Sequence, residues 1–206
     1  FGALALLQEA VPAGLLSLNP LAGFIRERLR ARGLEDAFEA LPHCLHIPAI
    51  DLDTGERVVF GGPQHARASV SVAVAASCAI PRFFQPVSSG GRDFVDGGIA
   101  DALNLDLALS WGAREALVVN PMVAPLNDRE SRCLPSRNGG CGHVAEQGLV
   151  AVLAQAIKIS HMIHSATSFR LHRLTHPEVR IEVIQPDRLE VDLDSPMDFR
   201  GRDRVL

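Results

Sequence analysis

The sequence predicts a layered α/β fold, and three observations carry that reading. Short apolar runs alternate with stretches of helical spacing along most of the chain, as strands alternating with helices require. Ala116-Leu-Val-Val-Asn120 is almost continuously apolar, the pattern of a strand buried on both faces in a parallel sheet. Apolar residues make up 47% of the 206 and charged residues 21%, enough for a sizeable core and too apolar for a disordered chain. One domain over residues 1–206 is expected at this length.

The elements follow in order. Residues 1–19 are apolar and punctuated by Gly and Pro. From Pro20 to Ala40, Leu21, Phe24, Ile25, Leu29, Leu34 and Phe38 recur at helical spacing, and Gly33 marks a break. His43–Ile50 reads as a strand, Asp51-Leu-Asp-Thr-Gly55 as a turn and Arg57–Phe60 as the returning strand of a hairpin. Asp51 and Asp53 are read as turn and capping residues. Ser69–Ser77 is a tightly packed helix of Ala, Val and Ser, stopped by Pro81. Asp93–Val95 is a strand. Asn104–Trp111 is a helix, with Asn104 as N-cap and Gly112 as its stop. Residues 125–142 are rich in Pro, Gly, Arg and Asn and are expected to form a mobile loop. Glu146 to about Leu174 is a long helix, and Val179–Ile184 is the last strand.

Composition excludes several function classes. A net charge of −4, no Tyr and one Trp give neither the basic surface nor the stacking platform of a nucleic-acid binder. No unbroken apolar run reaches the ~18 residues of a membrane span. Phe1-Gly-Ala-Leu-Ala-Leu-Leu lacks the basic leader of a signal peptide, so a cytoplasmic or peripheral-membrane setting is expected. Cys44 and Cys78 lie in apolar contexts and read as small core residues. Cys133 and Cys141 flank a polar loop near His143, where a disulfide or a metal site are both open, though the spacing matches no standard zinc pattern. No metal and no cofactor are expected.

The chemistry concentrates in Phe94-Val-Asp-Gly-Gly-Ile-Ala-Asp101 and the preceding Val74-Ala-Ala-Ser-Cys-Ala-Ile-Pro81. An apolar dipeptide running into an acid and two glycines describes a buried strand whose end presents the Asp96 carboxylate. Gly97 and Gly98 then supply the backbone freedom of a sharp turn. Such a carboxylate is suited to pair with a nucleophile or base. The bland reading of Asp96 is a turn-capping acid.

Half of the chain, from about Leu34 to Pro121, resembles the patatin-like acyl hydrolase family. The resemblance lies in Ala49-Ile-Asp-Leu-Asp-Thr-Gly-Glu-Arg-Val-Val-Phe60, then Ala75-Ala-Ser-Cys-Ala-Ile-Pro-Arg-Phe-Phe-Gln-Pro-Val87, Phe94-Val-Asp-Gly-Gly98 and Ala113 to Pro121. It implies a three-layer α/β/α sandwich on a mostly parallel central sheet, and a Ser–Asp dyad that cleaves lipid acyl esters. The dyad aspartate maps onto Asp96, with Gly97 and Gly98 shaping the turn. No Gly-x-Ser-x-Gly occurs in the sequence and no glycine-rich oxyanion loop precedes Leu34. The chain therefore reads as the C-terminal part of such a hydrolase, its N-terminal nucleophile segment missing. The alternative is a catalytically inactive lipid-binding or interaction module. The expected partner is a lipid ester, with peripheral membrane contact.

Two further features stay open between readings. Phe83 and Phe84, after Pro81, either line an acyl pocket or pack in the core. Lys158, His161, His164 and His172 fall within about 60° of one helical line. They form either a cationic face toward anionic lipid headgroups, a metal site, or a solvated face opposite Leu149, Leu153, Ile157 and Ile163.

Overall fold

The computed structural model describes residues 13–63, 68–81, 83–101, 103–128, 134–135, 141–186 and 188. Two compact units divide the chain, Phe1–Ala100 and Asp101–Leu206.

The first unit is built on helix α1 (Asn19–Ala31), hairpin strands β1 (Ile47–Asp51) and β2 (Arg57–Phe60), helix α2 (Val70–Ser77), and strands β3 (Val87–Ser89) and β4 (Arg92–Asp96). Its sheet has the order β2-β1-β4-β3, and every pairing is antiparallel. This corrects the expected mostly parallel central sheet. Short turns join β1 to β2 and β3 to β4, and only antiparallel strands can be joined that way. Gly90 and Gly91 make the second turn at φ 61° and 77°, conformations open to glycine. α2 lies on one face of this sheet. Ala73 and Ala76 have no side chain beyond Cβ, so the helix packs closely against Ile47, Ala49, Val58, Phe60 and Phe94. The Phe60 and Phe94 rings meet edge to face, 5.2 Å apart. Ser69 caps α2 by accepting the Val72 N–H.

Two acids fasten this unit. Asp36 accepts the Ser71 N–H at 2.8 Å, the Ser71 hydroxyl at 2.5 Å and Arg26 Nε at 3.2 Å. It thereby ties the segment after α1 to the start of α2. Asp51, only 2% exposed, accepts the Asp53 and Thr54 N–H groups at 3.0 Å each and pairs with Arg92. Asp51 is thus a turn residue, as its Asp-Thr-Gly context indicates.

The second unit holds helix α3 (Leu105–Ser110), strand β5 (Glu115–Val119), the two-residue strands β6 (Leu134–Pro135) and β7 (Cys141–Gly142), helix α4 (Leu149–Thr175) and strand β8 (Arg180–Ile184). β5 and β8 pair in parallel, α4 serving as part of the crossover that parallel strands need. β5 is not the buried strand its composition suggests, because Leu117 and Val119 are exposed. Asn104 precedes α3 at φ 46° and makes no side-chain cap; its amide instead donates to the Asp101 carbonyl. Of the loop at 125–142, residues 129–133 and 136–140 lie outside the described residues.

α4 also departs from expectation. Lys158, His161 and His172 are half-buried, whereas Leu149, Leu153, Ile157 and Ile163 are exposed. The packed side of the helix consists largely of small and polar residues such as Ala151, Ala154, Ser165 and Ser168. By length and composition alone, α4 is apolar enough to cross a membrane. Counting unbroken apolar runs did not register it, since Lys158 and the histidines interrupt the run.

Candidate functional site

Asp96 ends β4, opposite Ala49 of β1. Cross-strand partners share a face, so its side chain lies on the side of the sheet that α2 covers. The Asp96 N–H donates to the Ala79 carbonyl at 3.1 Å, which fixes the strand end against the chain leaving α2. One carboxylate oxygen, Oδ1, accepts the Gly98 N–H at 2.7 Å. Residues 97–99 then form a single 3-10 turn.

Gly97 is required here by space. A Cβ at this position would lie 2.5 Å from the Pro48 carbonyl oxygen. Backbone of β1 and of the turn therefore touch where any side chain would intervene. Gly98 contributes its N–H to Asp96, so the two glycines have distinct tasks.

Cys78 follows α2 and sits within electrostatic reach of Asp96. Packing around its sulfur raises the thiol pKa, and the Asp96 charge raises it further. A thiol held protonated is a poor nucleophile. The expectation that Cys44 and Cys78 are core residues is corrected: both are free and exposed. Cys44 lies in the exposed stretch before β1, and Cys78 caps the end of α2, past its buried alanine face.

Phe83 and Phe84 are half-buried. The Phe83 carbonyl accepts N–H groups from Leu15 and Leu16, and Phe84 packs on Leu18, Ala75 and Ala79. The structure brings Asp96, Gly97, Gly98 and Cys78 together and gives Phe84 a core contact. The Asp96–Cys78 proximity had no signal in the sequence, because it depends on how α2 docks on the sheet.

The other ionisable candidates lie elsewhere. Asp101 accepts the Leu103 N–H and the Ser168 hydroxyl within the second unit. Cys141 is disulfide-bonded, and Cys133 lies outside the described residues. Among the described residues no group of three or more His, Cys, Asp or Glu is placed to hold a metal.

The strand-end carboxylate, its Gly-Gly turn and the hairpin that supports them all fall inside one matched region. A family model described as patatin-like phospholipase covers residues 5–109, half of the chain. The chain belongs to the patatin-like phospholipase family.

Proposed function

We propose that this chain supplies the carboxylate half of a Ser–Asp dyad in a lipid acyl-ester hydrolase. The observation that carries the reading is the setting of Asp96. A carboxylate at a strand end, oriented by its own Gly98 N–H and backed by a glycine turn that excludes side chains, is pre-positioned to accept a proton. Hydrolysis of lipid esters is the usual chemistry of this family.

The serine of the dyad belongs to a Gly-x-Ser-x-Gly segment, which these 206 residues do not contain. As its oxygen attacks the ester carbonyl, Asp96 takes the hydroxyl proton. The tetrahedral oxyanion collapses, the carbon–oxygen bond to the alcohol breaks, and Asp96 returns the proton to the departing alcohol. Water then repeats the sequence on the acyl-enzyme and releases the fatty acid. Backbone N–H donors stabilise the oxyanion, commonly the largest contribution. In this reading the chain belongs to a three-layer α/β/α sandwich, Phe83 borders the acyl site and the protein works at a membrane periphery.

The test uses the intact gene product that carries the nucleophile segment. Asp96→Asn is expected to lower hydrolysis of p-nitrophenyl butyrate by about 10²–10⁴-fold and to suppress labelling by a fluorophosphonate. Unchanged turnover in that variant would overturn the assignment. A second reading, an inactive lipid-binding module, is favoured by the lack of a nucleophile elbow in the sequence. It requires that the intact product bind lipid vesicles yet show no serine that reacts with the fluorophosphonate.

A further inference from the structure

The second unit contains a cavity of about 310 Å³ between α4, the end of β5 and the chain after β8. Its polar side is made by Asn120, Ser165, Gln185 and Arg188, and its apolar side mainly by Val123, Met162 and Phe169. No acidic side chain lines it among the described residues.

The polar groups are neutral or cationic, and each can donate a hydrogen bond. Ser165 is 5% exposed, and its buried Oγ has no hydrogen-bond partner. A hydroxyl on a helix ordinarily returns to the carbonyl one turn back, as Thr167 does to Ile163 and Thr175 to Leu171 in this same helix. Ser165 does not. Asn120 is 7% exposed; its Oδ1 accepts the Met122 N–H, while its amide nitrogen donates to nothing among the described residues. Arg188 gives Nε to the Ala124 carbonyl and forms no ion pair among the described residues. A buried hydroxyl left without a partner costs free energy, so Ser165, beside the Asn120 amide and the half-buried Arg188 guanidinium, points to an acceptor that is brought in.

We infer that this cavity binds a monocarboxylate with a short apolar tail. The guanidinium matches a carboxylate in charge and geometry. The Ser165 hydroxyl and Asn120 amide N–H donate to its remaining lone pairs. At about 30 Å³ per water-sized group, the space takes roughly ten non-hydrogen atoms, the size of octanoate. The inference is independent of Asp96, since it uses only residues 120–188 and requires no hydrolysis.

The test is calorimetric titration of the 206-residue chain with sodium octanoate below its micelle concentration. Saturable binding is expected, with acetate and octan-1-ol at least about tenfold weaker because each lacks one half of the recognition. Arg188→Met is expected to weaken octanoate by about tenfold or more, and Ser165→Ala by several-fold. Ser165→Ala keeps the helix intact and so reports even where Arg188→Met fails to fold. In the unmodified chain the ¹³C-methyl resonance of Met162 should shift with octanoate and stay fixed with acetate. Binding of octan-1-ol as tight as octanoate, octanoate affinity unchanged in both variants, or no saturable binding would overturn the inference.

Discussion

A methyl group at Gly97 has nowhere to go. It would meet the Pro48 carbonyl oxygen at 2.5 Å, and both neighbours are backbone held in register by β1 and β4. Gly97→Ala is expected to destabilise the first unit by about 1–3 kcal/mol, read as a lower urea midpoint. An unchanged midpoint would mean the turn is loose. The neighbouring Asp96–Cys78 proximity has its own signature. Partial desolvation of the sulfur, on a residue that is otherwise exposed, is the larger cause, and with the Asp96 charge it holds the Cys78 pKa above its ordinary value. Removing the charge leaves burial in place but relieves part of the shift. Asp96→Asn should therefore speed alkylation of Cys78 by iodoacetamide at pH 8 by a few-fold, followed by peptide mass analysis. Cys44, outside this cluster, serves as the internal reference.

Among the elements, α2 depends most on one distant acid. Asp36 joins the start of α2 to the segment after α1 through two hydrogen bonds from Ser71, and a third from Arg26 ties it to α1. Partial burial works against its charge, but the Ser71 hydroxyl and N–H and then Arg26 outweigh this, so its pKa is lowered. Asp36→Ala is expected to cost about 1.5–3 kcal/mol at pH 7. Because the folded pKa is depressed, the carboxylate's contribution is fully present above the ordinary value of about 3.9 and is lost as the pH falls through the folded value. The gap between parent and variant in urea should thus narrow below about pH 4. Asp51 moves in the same direction, held down first by the Thr54 N–H and then by Arg92 and the Asp53 N–H against the penalty of burial.

The same elements mark what the sequence could convey. The Asp-Thr-Gly hairpin and its Arg57–Phe60 strand were legible residue by residue, as were the stops at Gly33 and Gly112, with φ of 72° and 79°. The antiparallel sense of the sheet was not. β1 is buried along nearly all of its length, so it lacks the alternation that marks a half-solvated antiparallel strand. The Gly90-Gly91 turn carried the missing signal, and β3 was overlooked beside it. On α4, the periodicity was clear but the direction was not. Apolar residues were assigned inward, whereas small and polar ones make the packed side. The place of Asp96 at a strand end was legible because an apolar strand ending in Asp-Gly-Gly is a local pattern. Its Cys78 neighbour depends on a long-range docking that no local pattern encodes.

Across the whole molecule, the two units differ in how their backbones are protected, and this gives a prediction for each. In the first, β1 is bonded on both edges, by β2 and by β4, and its residues are buried against α2. Opening it means breaking two ladders and exposing the Phe60–Phe94 pair together. In the second, the β5–β8 pair is two strands wide, with exposed side chains along most of both. Amide exchange depends on the free energy of such openings. Amides of Ile50 and Val95 should therefore be among the slowest to exchange at pH 7, and those of Leu117 and Val183 much faster. Acid should act unevenly. Asp36 and Asp51 both lie in the first unit and both have lowered pKa values, so its stability declines as the pH falls through them. Hydrogen-exchange mass spectrometry at pH 7, then after a short incubation at pH 3, should show β1 and β4 losing protection while β5 and β8 change little. Equal loss in both pairs would mean that the acid response is not seated in these two carboxylates.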